Sequence, residues 1–217
     1  SIEQNKLAVE IIQKMENERM LGVSYANLND SYLLLGDVSQ AIDFGEKAIA
    51  KFRKLNMPNL IAIASNWVAD AHCRIGQYEE MNIKITEAEK LISGLNDFFR
   101  EGKIEFFKSH YYLNNNDYTS ALTHIDLSID KFTLGKNTVQ EIQSSIEKLK
   151  ILIEAGSIEK TTIIITKIDH LINQIKGSYD NLIYVSIKYY VEAYNGTHDK
   201  NSVHKLLKEL NDMNDFR

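Results

Sequence analysis

LLLGDVSQAI (residues 33–42) and CRIGQYEEMN (residues 73–82) set the register of the whole chain. Aligned with LNNNDYTSAL (113–122), IEAGSIEKTT (153–162) and AYNGTHDKNS (193–202), they put Gly36, Gly76, Asn116, Gly156 and Gly196 in one column, each 40 residues after the last. Gly and Asn enter left-handed backbone more readily than other residues, and a chain leaving one helix to turn sharply into another needs that conformation. The column therefore reads as a recurring turn between paired helices. Five residues further on stand Ala41, Met81, Ala121, Thr161 and Asn201, and twelve further on stand Ala48, Ala88 and Ser128. These mostly small residues recur where helices must approach closely.

Between the turns, apolar residues fall three, four and seven apart, the period of a helix with one buried face. Examples are Tyr25, Leu28 and Tyr32 before the first turn, and Ala41, Phe44, Ala48 and Ile49 after it. Successive hairpins are separated by breakers: Met57, Pro58 and Asn59; Ser93 and Gly94; Gly135, Lys136 and Asn137; Gly177 and Ser178. The expectation is an all-α solenoid, a right-handed α-α superhelix of about five helix pairs preceded by one extra helix. Its boundaries fall at 3–20 for the extra helix, then about 21–58, 59–96, 97–136, 137–177 and 178–217, all within one repeat domain.

Composition agrees and narrows the function. One Pro and ten Gly in 217 residues are too few for the turns of an all-β domain. The formal net charge of -5 leaves no basic excess to neutralise a phosphate backbone, so nucleic acid is not an expected partner. No window approaches the roughly 18 consecutive apolar residues of a membrane span, and the start SIEQNKLAVE lacks signal-peptide layout. With Cys73 alone there is no internal disulfide, and a cytoplasmic setting is expected.

The stretch from Tyr25 to Ala48 resembles a tetratricopeptide repeat, with Tyr25, Leu28, Tyr32, Gly36, Ala41 and Ala48 in the spacing of that family's signature. The second copy keeps Gly76, Tyr78 and Ala88, and the third keeps Tyr118, Ala121 and Ser128. The 40-residue period exceeds the family's usual one and resembles the longer-helix repeats of bacterial signalling regulators and kinesin light chains. Counting back from Ala48 gives Ala8 inside KLAVEIIQKM, so the register predicts a chain that starts within a repeat, as a fragment of a longer protein would.

Short catalytic signatures are absent: there is no phosphate-binding Gly-rich loop, GxSxG, HExxH or paired CxxC. His72 and Cys73 are adjacent and point about 100° apart on a helix, which does not make a nucleophile and its base. No two histidines stand four apart on a helix, so no metal site is expected, nor any cofactor. Asn29-Asp30-Ser31 and Asn195-Gly196-Thr197 match a glycosylation sequon, as chance alone allows. Tyr179, Tyr184, Tyr189, Tyr190 and Tyr194 crowd the last repeat and read as core or as a cap on the array's end.

The resemblance implies that the first helix of each pair lines an inner groove. Columns two, six and nine residues before the turn then supply the candidate binding residues Asn27, Asp30, Trp67, Asp70, Arg74, Phe107, His110, Asn114, Lys150 and Tyr190. Asp30, Asp70 and Trp67 are expected to form an acidic and aromatic strip, the wrong sign for gripping a terminal carboxylate. The function expected is a scaffold that binds a protein or peptide in this groove. The alternative is a sensor or regulatory domain of a larger bacterial signalling protein, holding a signal peptide or an intramolecular partner. An enzyme on the helical scaffold, such as a helical phosphatase, is the third class.

Overall fold

The computed structural model describes residues 2–14, 17–175 and 191, and these contain helices and turns without a strand. The chain divides into two compact units, Ser1–Gly135 and Lys136–Arg217. In the first unit, α1 (Ile2–Lys14) precedes three pairs: α2 (Glu18–Leu35) with α3 (Val38–Lys54), α4 (Pro58–Arg74) with α5 (Tyr78–Ile92), and α6 (Phe98–Asn114) with α7 (Tyr118–Leu134). The second unit holds α8 (Thr138–Glu154), a 3-10 turn (Ile158–Lys160) and α9 (Thr161–Gln174). First helices open at Glu18, Pro58, Phe98 and Thr138, so the 40-residue period of the sequence is also the period of the elements. The last turn, at Gly196, and Tyr179, Tyr184, Tyr189, Tyr190 and Tyr194 lie outside the described residues. No described helix is long and apolar enough to cross a membrane.

The turn column behaves as its residue types require. Gly36, Gly76, Asn116 and Gly156 all have positive φ, between 58° and 79°. In each copy the next amide reaches back five residues to the closing helix: Asp37 to the Tyr32 carbonyl, Gln77 to His72, Asp117 to Tyr112 and Ser157 to Leu152, at 2.8–3.0 Å. This pattern satisfies carbonyls that a helix end otherwise leaves bare. Asp37 and Asp117 then cap the second helices, their Oδ1 accepting from the amides of Gln40 and Ser120. Ser157 makes no such cap, and the fourth pair's second helix opens instead through the 3-10 turn.

The connections between pairs, at 55–57, 93–97 and 135–137, fall at or beside the breakers read in the sequence, and the geometry gives each breaker its role. Pro58 does not break a helix but starts α4, where its missing N–H costs nothing. The left-handed residue is Asn56, two before it, and the equivalent positions are Asn96 and Lys136, again 40 apart. Gly135 stays right-handed at φ -77° while Lys136 takes the strained conformation. The extra helix is also shorter than 3–20, because Asn17 accepts from the Met20 amide and begins α2 there.

The cores follow the same period. Ala41, Met81 and Ala121 are wholly buried, as are Ala48, Ala88 and Ser128, so both small-residue columns lie at helix crossings. One turn further along the same face of the second helices run Phe52, Ile92 and Phe132, each at most 2% exposed. In the second unit Ile142, Ile146, Leu149, Ile153, Ile158, Ile168 and Val191 make one apolar cluster.

Candidate functional site

Within the first unit each helix packs on the next, and in addition α2 packs on α4 and α4 on α6. No comparable packing joins α3 to α5 or α5 to α7. The first helices therefore form the tight inner row, and their outward columns share one surface. On it lies a cleft of about 480 Å³ lined by α2 (Asp30, Leu33, Leu34), α4 (Ile63, Asn66, Trp67, Asp70, Arg74) and α6 (Phe99, Arg100, Lys103, Phe107).

Five of the sequence candidates meet here: Asp30, Trp67, Asp70, Arg74 and Phe107. They do so because columns repeated every 40 residues fall side by side on stacked first helices. Phe107 is buried in the floor, Trp67 is half-buried above it, and Asp30 is exposed at the α2 rim. The other candidates stand apart. Asn27 is exposed in a separate shallow depression with Asn17, Arg19, Met20, Val23 and Ser24. His110 packs its ring against Phe106 with centroids 4.7 Å apart, and Asn114 is exposed at the end of α6. Lys150 lies in the second unit, paired to Glu147 at 3.0 Å, and Tyr190 is outside the described residues.

The electrostatics correct the acidic strip. Asp70 is held by Arg74 one turn along α4, at 3.1 Å, and Arg74 also donates to the Leu33 carbonyl at 3.3 Å, tying α4 to the end of α2. Lys103 and Arg100 add two cations that the turn-based columns passed over, since they lie further from the turn. Arg100 pairs with Asp97 at the start of α6. Burial lowers the Lys103 ammonium from its ordinary range, with Arg74 acting in the same direction and Asp70 against both. Its Nζ stands 5.9 Å from the Phe106 ring centroid and makes no ion pair among the described residues. Asn66 is buried in the cleft wall, and its Oδ1 has no hydrogen-bond partner. The sequon at Asn29 is excluded as a modification site: Asn29 is fully buried, with its Nδ2 bonded to the Ala41 carbonyl at 2.7 Å.

No protein-family model matches the chain, and no curated protein matches it in sequence. Solved structures do match. Aspartyl phosphate phosphatase F from Bacillus subtilis superposes on 98% of this chain with a TM-score of 0.77 at 13% identity, and the chain spans 54% of that protein's. BtubC from P. vanneervenii gives 0.74 at 12% identity, over 98% of this chain and 89% of its own. A putative kinesin light chain from Podosopora anserina, with nearly identical TPR-like repeats, gives 0.65 at 13% identity, over 90% and 97%. At these identities the likeness is one of fold, and the fold is the TPR-like helical repeat. The chain spans about half the length of the phosphatase.

Proposed function

We propose that the chain is a protein- or peptide-binding module of a cytoplasmic protein and that its partner lies in the cleft on α2, α4 and α6. The observation that carries this reading is the convergence of Asp30, Trp67, Asp70, Arg74 and Phe107, from three successive first helices, on one cleft. A groove built on packed helices is preformed, so a partner loses little to reorganising it. Half-buried aromatic rings supply affinity, and charges around them supply selection. The alternative, a sensor domain within a larger signalling protein, draws support from the likeness to aspartyl phosphate phosphatase F over part of that protein's length.

Trp67 is the only tryptophan in the chain, so its fluorescence reports on the cleft alone. Extended peptides titrated onto the chain should shift Trp67 emission on binding, and both Trp67→Ala, followed by anisotropy of a labelled peptide, and Arg74→Ala should weaken binding about tenfold or more. Undiminished affinity in both variants would move the partner to another surface.

A further inference from the structure

The cleft is lined by five charged side chains, and most of their charge is already answered within the protein. Asp70 is neutralised by Arg74, and Arg100 by Asp97. Two charges remain without an ion pair among the described residues, and they have opposite signs and opposite places. Asp30 stands exposed on α2 with no ion pair among the described residues, and Lys103 stands on α6, its ammonium drawn away from water with no carboxylate in ion-pair range. Between them α4 presents Trp67, with Phe99 and Phe107 beside it on α6. The partly buried Lys103 ammonium gains from a ligand carboxylate, and the exposed Asp30 carboxylate selects for a ligand cation at the rim.

We propose, resting on the binding function above, that the cleft selects an internal, extended peptide segment carrying a basic residue at one end, an apolar or aromatic residue in the middle and an acidic residue at the other. The basic group meets Asp30, the apolar group meets Trp67 and Phe107, and the acidic group meets Lys103. The spacing follows from the architecture. Packed helices lie about 8–10 Å apart, which puts α2 and α6 roughly 16–20 Å apart across α4. Asp30 lies seven residues further along α2 than Lys103 does along α6, an axial offset of about 10 Å, so at about 3.3 Å per extended residue the two ligand charges stand about six or seven residues apart. Asn66, whose buried Oδ1 has no partner, offers an acceptor to a backbone N–H crossing α4.

The test uses synthetic peptides acetylated and amidated at their ends, with a central Phe and charged residues at that spacing: Lys with Glu in both orders, Lys with Lys, Glu with Glu, and an uncharged Gln version. Binding is read from Trp67 emission and from anisotropy of a labelled peptide at two salt concentrations. At least one Lys–Glu order should bind tenfold or more tighter than either like-charged peptide, with the advantage shrinking at high salt. Asp30→Lys should transfer preference to the Glu–Glu peptide, Lys103→Glu should transfer it to the Lys–Lys peptide, and the double swap should restore Lys–Glu. Asp30→Asn and Lys103→Gln, which keep size and hydrogen bonding, should each level the preference; far-UV circular dichroism verifies folding. If the peptides bind in the cleft irrespective of charge, or preferences ignore the swaps, the charge selection is wrong while the binding module stands. If a peptide with one free terminal carboxylate and no internal acid binds as well as Lys–Glu, the internal-segment reading is overturned. If none of the peptides moves Trp67 or the labelled probe, both readings fall.

Discussion

Phe52, Ile92 and Phe132 stand 40 residues apart on the second helices, and 30 residues before each stands Gly22, Ala62 or Gly102 on a first helix. A Cβ added at Gly22 would sit 2.7 Å from the Phe52 ring, and one at Gly102 would sit 2.9 Å from Phe132, so both rings occupy the space a side chain would fill. Where the ring is replaced by the smaller Ile92, the partner grows to Ala62, and both are buried in one cluster. Volume is thus conserved across the pair while each residue varies. Gly102→Ala should therefore destabilise by about 1–3 kcal/mol, and adding Phe132→Ile should recover much of that loss, giving a favourable coupling in a urea denaturation cycle. A double variant no better than the sum of its singles would show that the ring moves aside. Ala88→Leu, at a position with no exposed surface, should likewise lower the urea midpoint by an amount equal to about 1–3 kcal/mol. The small columns were legible because each is small in nearly every copy. The Gly–Phe exchange was not, because it shows only when two columns 30 residues apart are compared as pairs.

Each helical element is fixed at its ends, and the ends differ in how plainly the sequence announces them. Turns at Gly36, Gly76, Asn116 and Gly156 use residues with a known tolerance for left-handed backbone, so their column stood out. Of the alternate turns, Lys136 lies within the punctuation Gly135-Lys136-Asn137 and Gly94 is itself left-handed, whereas Asn56 and Asn96 each sit two residues from the stronger marker, Pro58 or Gly94. Among the caps, Asp117 is held below the ordinary aspartate range by its hydrogen bonds to Ser120, side chain first and then backbone. A carboxyl with a depressed folded pKa contributes stability that is present above its unfolded pKa and lost as pH falls through the folded value. Asp117→Ala should accordingly lower the denaturation midpoint at neutral pH, and the gap from the parent chain should narrow once acid protonates Asp117. A gap that stays constant from neutral to strongly acid pH would assign the effect to something other than the charged cap. In the candidate site, the columns two, six and nine before the turn found α2 and α4 residues well. They missed Lys103 and Arg100 because the first turns of α6, far from the marker residue, also reach the cleft.

At the scale of the molecule, a repeat array stabilises itself through nearest neighbours, so a stretch that contains whole pairs and their shared interfaces carries its own core. The Ser1–Gly135 unit meets that condition. Leu21, Leu28, Tyr32 and Ala41 cluster between α1, α2 and α3; Ala48, Phe52, Ile61 and Val68 join α3 to α4; and Met81, Ile85, Ala88, Ile104 and Phe107 join α5 to α6. Ion pairs join α3 to α2 (Lys51 on Glu18), α3 to α5 (Arg53 on Glu87) and α7 to α6 (Lys131 on Glu101). Exposed pairs of this kind add little individually, so the apolar clusters decide the outcome. The whole candidate cleft and the sole tryptophan fall inside this unit as well. Residues 1–135 expressed alone should therefore fold, unfold cooperatively by Trp67 fluorescence, and bind any cleft ligand within a few-fold of the full chain. The measurement is a pair of urea titrations, Trp67 emission against far-UV circular dichroism, on the fragment and on the full chain. Coincident fragment transitions near the full chain's Trp67 midpoint would establish the unit as self-sufficient. A fragment that is unfolded, or that loses its fluorescence transition while the full chain keeps it, would instead make the single 217-residue repeat domain the smallest folding unit.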